Sequence, residues 1–200
     1  MHGQSDCHFC LRSFNFAESS SKILNEGTVL SILRSLGPAV SRSSPIEALR
    51  AGIGALIGLG LTGLFVLSPA IDLTLGLYLV APFGASSVLL FAAPNSPLAQ
   101  PWPAIVGNTI AALVGVAVCL SISDPTLRIP LAVGLAITAT ILCRALHPPA
   151  GAVAMTAAMS PDAVNQLGFW FALTPIATGT ILLVIMAAIY AKLTGRHYPL

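Results

Sequence analysis

Between Ala51 and Ala191 only five side chains carry a full charge: Asp72, Asp124, Arg128, Arg144 and Asp162. The stretches between them are long and apolar, punctuated by proline and glycine. A soluble domain averages about a quarter charged residues. This chain of 200 residues is 8% charged and 56% hydrophobic, with a mean hydropathy of +0.88. In lipid every backbone polar group must be satisfied within the protein, so such runs are expected to cross a membrane as helices. A crossing takes about 20 apolar residues. The expected fold is an all-α polytopic helical bundle of four to six transmembrane elements, with the lipid bilayer as its first partner. Net charge is only +2, and no basic patch carries interleaved aromatics, so no nucleic acid is expected as a partner.

Residues 1–44 are polar and Ser-rich and are read as a flexible cytoplasmic segment, with Ile23 to Val40 as a linker. No secretory-type apolar region occurs there. Cys7-His8-Phe9-Cys10 fits C-x-x-C, but the second ligand pair of a zinc site does not follow. It is taken as a chance pair, and no metal or cofactor is expected. The membrane domain is placed at 45–195 and a short tail at 196–200.

Pro45 with Glu47 behind it reads as a helix start, and Ala51–Leu67 as the first span. Gly54 and Gly58, extended by Thr62, form a small-residue step of the kind that lets helices approach closely. Gly107, Ala111 and Gly115 repeat that pattern in the span Ala104–Leu120. Both are read as packing, and both would permit a homo-oligomer. Asn108 beside the second stripe is read as a helix–helix hydrogen bond. Leu73–Ala93, Ile129–Leu146 and Phe169–Ala191 complete the long runs. Trp102 is a candidate interfacial anchor.

Two segments are interrupted. At His147-Pro148-Pro149-Ala150-Gly151, consecutive prolines end one helix, expected near Leu146, and Pro149 suits the first turn of another. Pro82-Phe83-Gly84-Ala85 and Pro149-Ala150-Gly151-Ala152 share the pattern P-x-G-A, and each is followed by a second proline (Pro94, Pro161) twelve positions after the first. Paired interruptions of this kind suggest an internal repeat and point to a transporter binding site. A helix beginning at proline inside a membrane leaves backbone N–H groups unpaired and an end that attracts anions. The candidate binding residues are therefore Gly84, Ser86, Ser87, Gly151 and Ala152, joined by Arg144 and His147. Pro82, Pro148 and Pro149 are the helix-break residues. An ionisable group inside a membrane is costly, which favours a functional role for His147.

Five basic residues precede the first span, so both termini are expected on the cytoplasmic side. Charge counting alone leaves open four crossings or six, and with that parallel or inverted repeats.

The motifs Ala81-Pro82-Phe83-Gly84-Ala85-Ser86, Ser96-Pro97-Leu98-Ala99-Gln100-Pro101 and His147-Pro148-Pro149-Ala150-Gly151-Ala152 resemble, in this order, the HPP family of integral membrane proteins. The resemblance covers residues 45–195 and implies a transporter or channel for a small inorganic anion such as nitrite, in a bacterial cytoplasmic membrane. It transfers no established binding residues. Enzyme activity is not expected: the acids after Arg50 (Asp72, Asp124, Asp162) fall in predicted loops, and a lone histidine is a poor metal site. The alternative is a sensory or structural membrane subunit without transport.

Overall fold

Helix α1, Pro45–Val66, starts where the sequence provides a cap. Ser44 is extended and its hydroxyl accepts the Glu47 N–H, with Pro45 in the first turn. The computed structural model describes residues 43–68, 71 and 73–200. The Cys7/Cys10 pair and the Ile23–Val40 segment lie outside the described residues.

The described chain forms seven helices and no strands. After α1 come α2 (Leu73–Ala92), α3 (Pro101–Ser121), α4 (Pro125–Leu142), α5 (Pro149–Met159), α6 (Pro161–Leu167) and α7 (Ala172–Leu193). Five of them, α1 to α4 and α7, are long and apolar enough to cross a membrane. On α1 the residues Gly54, Gly58, Thr62 and Val66 are buried at four-residue intervals. The rest of that helix exposes Leu49, Leu56, Ile57 and Leu64. Apolar surface of this extent is unfavourable in water and ordinary in lipid.

The ends fix the topology. Glu47 of α1 pairs with Arg196 just beyond α7 at 2.7 Å. Arg196 also donates to the Phe91 carbonyl at the end of α2. Tyr198 and Leu200 donate to Ala99 and Gln100, immediately before α3. All these groups share one end of the bundle, called proximal below. Trp102 brings Cys143, after α4, to the same end through an Nε1 to carbonyl contact of 3.5 Å. At the distal end a cavity of about 680 Å³ joins Ile71 and Thr74 at the start of α2 to Ser160 after α5 and to Thr174 in α7. Helix α5 therefore runs from the proximal to the distal end, so among the described residues six helices pass between the two ends, five of them long enough to span a membrane. Helix α2 runs the opposite way to α5, so the two P-x-G-A segments are antiparallel, the inverted arrangement.

At eleven residues, α5 is about 16 Å long. It is packed among α2, α3 and α4, and most of its residues are buried. A Cβ on Gly115 would lie 2.8 Å from the Ala154 carbonyl and from Ala157, so the α3 stripe is what lets α5 in. The α1 stripe works likewise: a Cβ at Gly58 would sit 2.5 Å from the Phe91 ring. Among the described residues, a Cβ on Gly52, Gly60 or Gly63 would meet nothing within 4 Å, whereas Gly54 and Gly58 pack closely.

The expected break at Pro82 is corrected by the structure. Pro82 is buried inside a helix that continues through it, ending in a π turn at Val88–Ala92. A proline removes one backbone bond, a loss that neighbouring helices compensate in membranes. The amides of residues 84–87 are therefore helical and form no open helix end.

Candidate functional site

Helix α4 stops at Leu142, four residues earlier than Leu146. Cys143 caps it, Arg144 adopts φ 52°, and Ala145 donates to Thr140 while Arg144 donates to Ile141. This is the Schellman pattern, with arginine where glycine is usual. The left-handed residue turns the chain out of the helix, and the Arg144 side chain is exposed. It does not join the site. Its place at this cap carries a prediction: Arg144→Gly should raise stability by about 1 kcal/mol, because glycine adopts positive φ without the Cβ penalty. Thermal unfolding of the detergent-solubilised protein measures this. Anion uptake should be unchanged, and a fall would return a charge role to Arg144.

The early stop gives residues 143–148 the slack to carry His147 inward. A Cβ on Gly107 would collide with the Ala145 carbonyl and lie 3.1 Å from the His147 Cβ, so glycine is what admits this segment. His147 is 1% exposed. Its Nδ1 lies 2.8 Å from the Leu98 carbonyl and its Nε2 3.0 Å from Ser86 Oγ. A carbonyl only accepts, so Nδ1 carries the hydrogen. In the neutral ring Nε2 is then the acceptor and Ser86 donates.

The chain of hydrogen bonds continues. Asn108 Nδ2 donates to Ser86 Oγ at 3.5 Å and to Thr180 Oγ1 at 3.2 Å, and Thr180 donates to the Ile176 carbonyl. Ser86, Asn108 and Thr180 are fully buried. Among the described residues, the buried Asn108 Oδ1 has no hydrogen-bond partner. The polar chain thus ties α2, the 94–100 connector, α3, the approach to α5, and α7. Along α2, Tyr78 lines the distal cavity and Ala92 lines a proximal cavity of about 450 Å³ shared with Asn95, Ser96 and Arg196. Ser86 lies between the two.

Of the residues expected at the site, the structure brings together His147 and Ser86, one from each interrupted segment. The others do not meet. Ser87 folds its hydroxyl back onto the Gly84 carbonyl at 2.7 Å. Gly84 faces Leu59 on α1, and Gly151 faces Val133 on α4. The first amides of α5 are not free: Ala150 donates to His147 and Gly151 to Pro148. Ala152, in the same turn, is half-buried. Pro148 and Pro149 do begin the helix, but its end is capped by the preceding turn rather than open to an anion. Asn108 makes the interhelical bonds its position implied. Thr180 and the Leu98 carbonyl have no distinctive signal in sequence.

The connector is held from outside as well. The Gln100 amide Nε2 donates to the Pro94 and Ser96 carbonyls. Tyr198 reaches the Ala99 carbonyl at 3.0 Å, and burial pushes its hydroxyl up to about 12.

The sequence matches the family described as HPP, transmembrane region, over residues 40–199. The chain belongs to this family. Two curated transmembrane proteins of Dictyostelium discoideum are similar to this HPP protein. One is 35% identical over 128 residues, covering 62% of this chain and 41% of the relative. The other is 32% identical over 127 residues, covering 61% and 44%. The HPP chain therefore spans less than half the length of these relatives. No solved structure shows significant similarity to it.

Proposed function

We propose that this HPP protein is a transporter or channel for a small inorganic anion, nitrite first among those to test, and not an enzyme. The observation that carries the reading is the buried polar chain His147–Ser86–Asn108–Thr180, in a bundle with cavities at its two ends. Buried polar groups inside a membrane bundle are costly and mark ion and substrate paths. The donors are neutral hydroxyl and amide groups rather than helix ends or Arg144. The family resemblance supplies the substrate class.

Arg50, Arg144, Lys192 and Arg196 belong to the proximal end and Arg128 to the distal end, which supports a cytoplasmic proximal end. A bacterial cytoplasmic membrane is proposed on the resemblance alone; the relatives named above are eukaryotic. The test is a panel of nitrite, nitrate and chloride in proteoliposomes against protein-free vesicles. Flux of at least one anion above that background is expected. Absence of flux for the whole panel would favour a sensory or structural subunit.

A further inference from the structure

We propose that His147 is the proton-binding site of a proton-coupled anion transporter, and that Ser86 and Asn108 reverse their hydrogen bonds when the proton binds. This deepens the transport reading and rests on it. The geometry is directional. Leu98 fixes Nδ1 as a donor, so Nε2 is the one ring position that can gain or lose a proton. When a proton forms the Nε2–H bond, Nε2 becomes a donor to Ser86 Oγ. The Ser86 hydroxyl must then find another acceptor. Asn108 already reaches Ser86, and among the described residues its Oδ1 has no hydrogen-bond partner. A half-turn of the amide presents Oδ1 to the Ser86 O–H and to Thr180, whose hydroxyl turns from the Ile176 carbonyl to donate to it. The same four side chains then satisfy the charged ring, and the reverse rotation accompanies proton release.

Coupling to an anion follows from burial. The ring's hydrogen-bond partners are a carbonyl and a hydroxyl, and neither balances a positive charge. Among the described residues, the charged or titratable groups on neighbouring segments do not supply that balance. Cys143 and Arg144, on the loop before it, are exposed. Tyr198, across the connector, is engaged with Ala99. On α2, Tyr78 lines the distal cavity, and Cys119 lies near the distal end of α3. On α7, Tyr190 is held by the Arg50 carbonyl at the proximal end, where Lys192 also lies. A buried imidazolium without a counterion is strongly disfavoured. An entering anion is that counterion, so proton and anion each favour binding of the other, and by linkage the effect is reciprocal.

The experiment uses the full chain in vesicles loaded with a pH-sensitive dye, with nitrate as the probe because its acid form does not cross bilayers by itself. A nitrate pulse should acidify the lumen above protein-free vesicles, and an inward proton gradient should raise uptake about tenfold. His147→Gln should lose both the acidification and the gradient response. Ser86→Ala removes both the donor to the neutral ring and the acceptor from the charged ring; the charge-assisted bond is the stronger of the two, so half-maximal uptake should move to lower pH by roughly half to one unit. A purely packing role for Ser86 would leave that midpoint in place. Wild-type nitrate flux without proton movement, acidification retained in His147→Gln, or an unshifted midpoint in Ser86→Ala each overturns the proposal while leaving anion transport intact. If nitrate is not carried, the same measurement is made with whichever panel anion is. Failure of every anion sinks the transport reading itself.

Discussion

Gly107→Ala is expected to lower stability by about 1–3 kcal/mol, the usual range for overpacking a tight contact. For a domain of this size that corresponds to a fall of roughly 2–12 °C in unfolding midpoint. The added methyl group meets the Ala145 carbonyl and the His147 Cβ, so the atoms that must move include backbone, not merely the end of a flexible side chain. Displacing residues 145–147 also lengthens the His147–Leu98 and His147–Ser86 bonds, so uptake should fall together with stability. Gly60→Ala is the matched comparison: its Cβ would meet nothing within 4 Å, and alanine is the better helix former. That variant should match or slightly exceed wild type in thermal unfolding. Equal stability of the two variants would remove Gly107 from the role assigned to it.

His147→Ala is expected to reduce anion uptake at least about 50-fold, since a loss of this order follows removal of a group used in each transport cycle rather than a marginal contact (about 2.4 kcal/mol at 1.4 kcal/mol per tenfold). The protein should remain in the membrane. Two partners, the Leu98 carbonyl and Ser86, lose their bonds, at about 1–3 kcal/mol each if no water replaces the ring. The bundle's other contacts are untouched. Membrane-fraction yield and uptake are therefore read side by side, and normal flux at normal yield would take His147 out of the mechanism.

Much of the architecture was legible in the sequence because lipid imposes a length and polarity rule on every crossing. The five long helices follow from long apolar runs, and Ser44-Pro45 and Pro149 start helices where their chemistry requires. Two features were not legible. The end of α4 is set by Arg144 in a left-handed conformation that sequence rules reserve for glycine, so the run was read through to Leu146. Pro82 resembles Pro149 in its local pattern, yet one lies inside a helix and the other begins one. The difference arises from what surrounds them: Pro82 is buried in a continuous helix, whereas Pro149 follows a segment already diverted by the Arg144 turn.

The site was legible in half. His147 and Ser86 lie 61 positions apart and were singled out because each sits in an interrupted segment, and they do meet. The physical reason first offered, free amides at two helix ends, does not hold, because the Ala150 and Gly151 amides are capped and the Pro82 segment stays helical. Asn108 was read as an interhelical bond and makes two. Thr180 was invisible because threonine inside a membrane helix commonly bonds its own backbone, as Thr180 also does to Ile176.

The shortness of α5 has a consequence for how this protein meets different membranes. A spanning helix that mismatches the local hydrocarbon thickness tilts or deforms the bilayer around it. Helix α5 is covered by α2, α3 and α4 over most of its surface, with Met155 and Met159 exposed, so thickness acts chiefly on its long neighbours. The spacing of His147 from Ser86 is set by side-chain contacts within the protein. Transport should therefore vary little between vesicles of short and long acyl chains, even where the tilt of the outer helices changes.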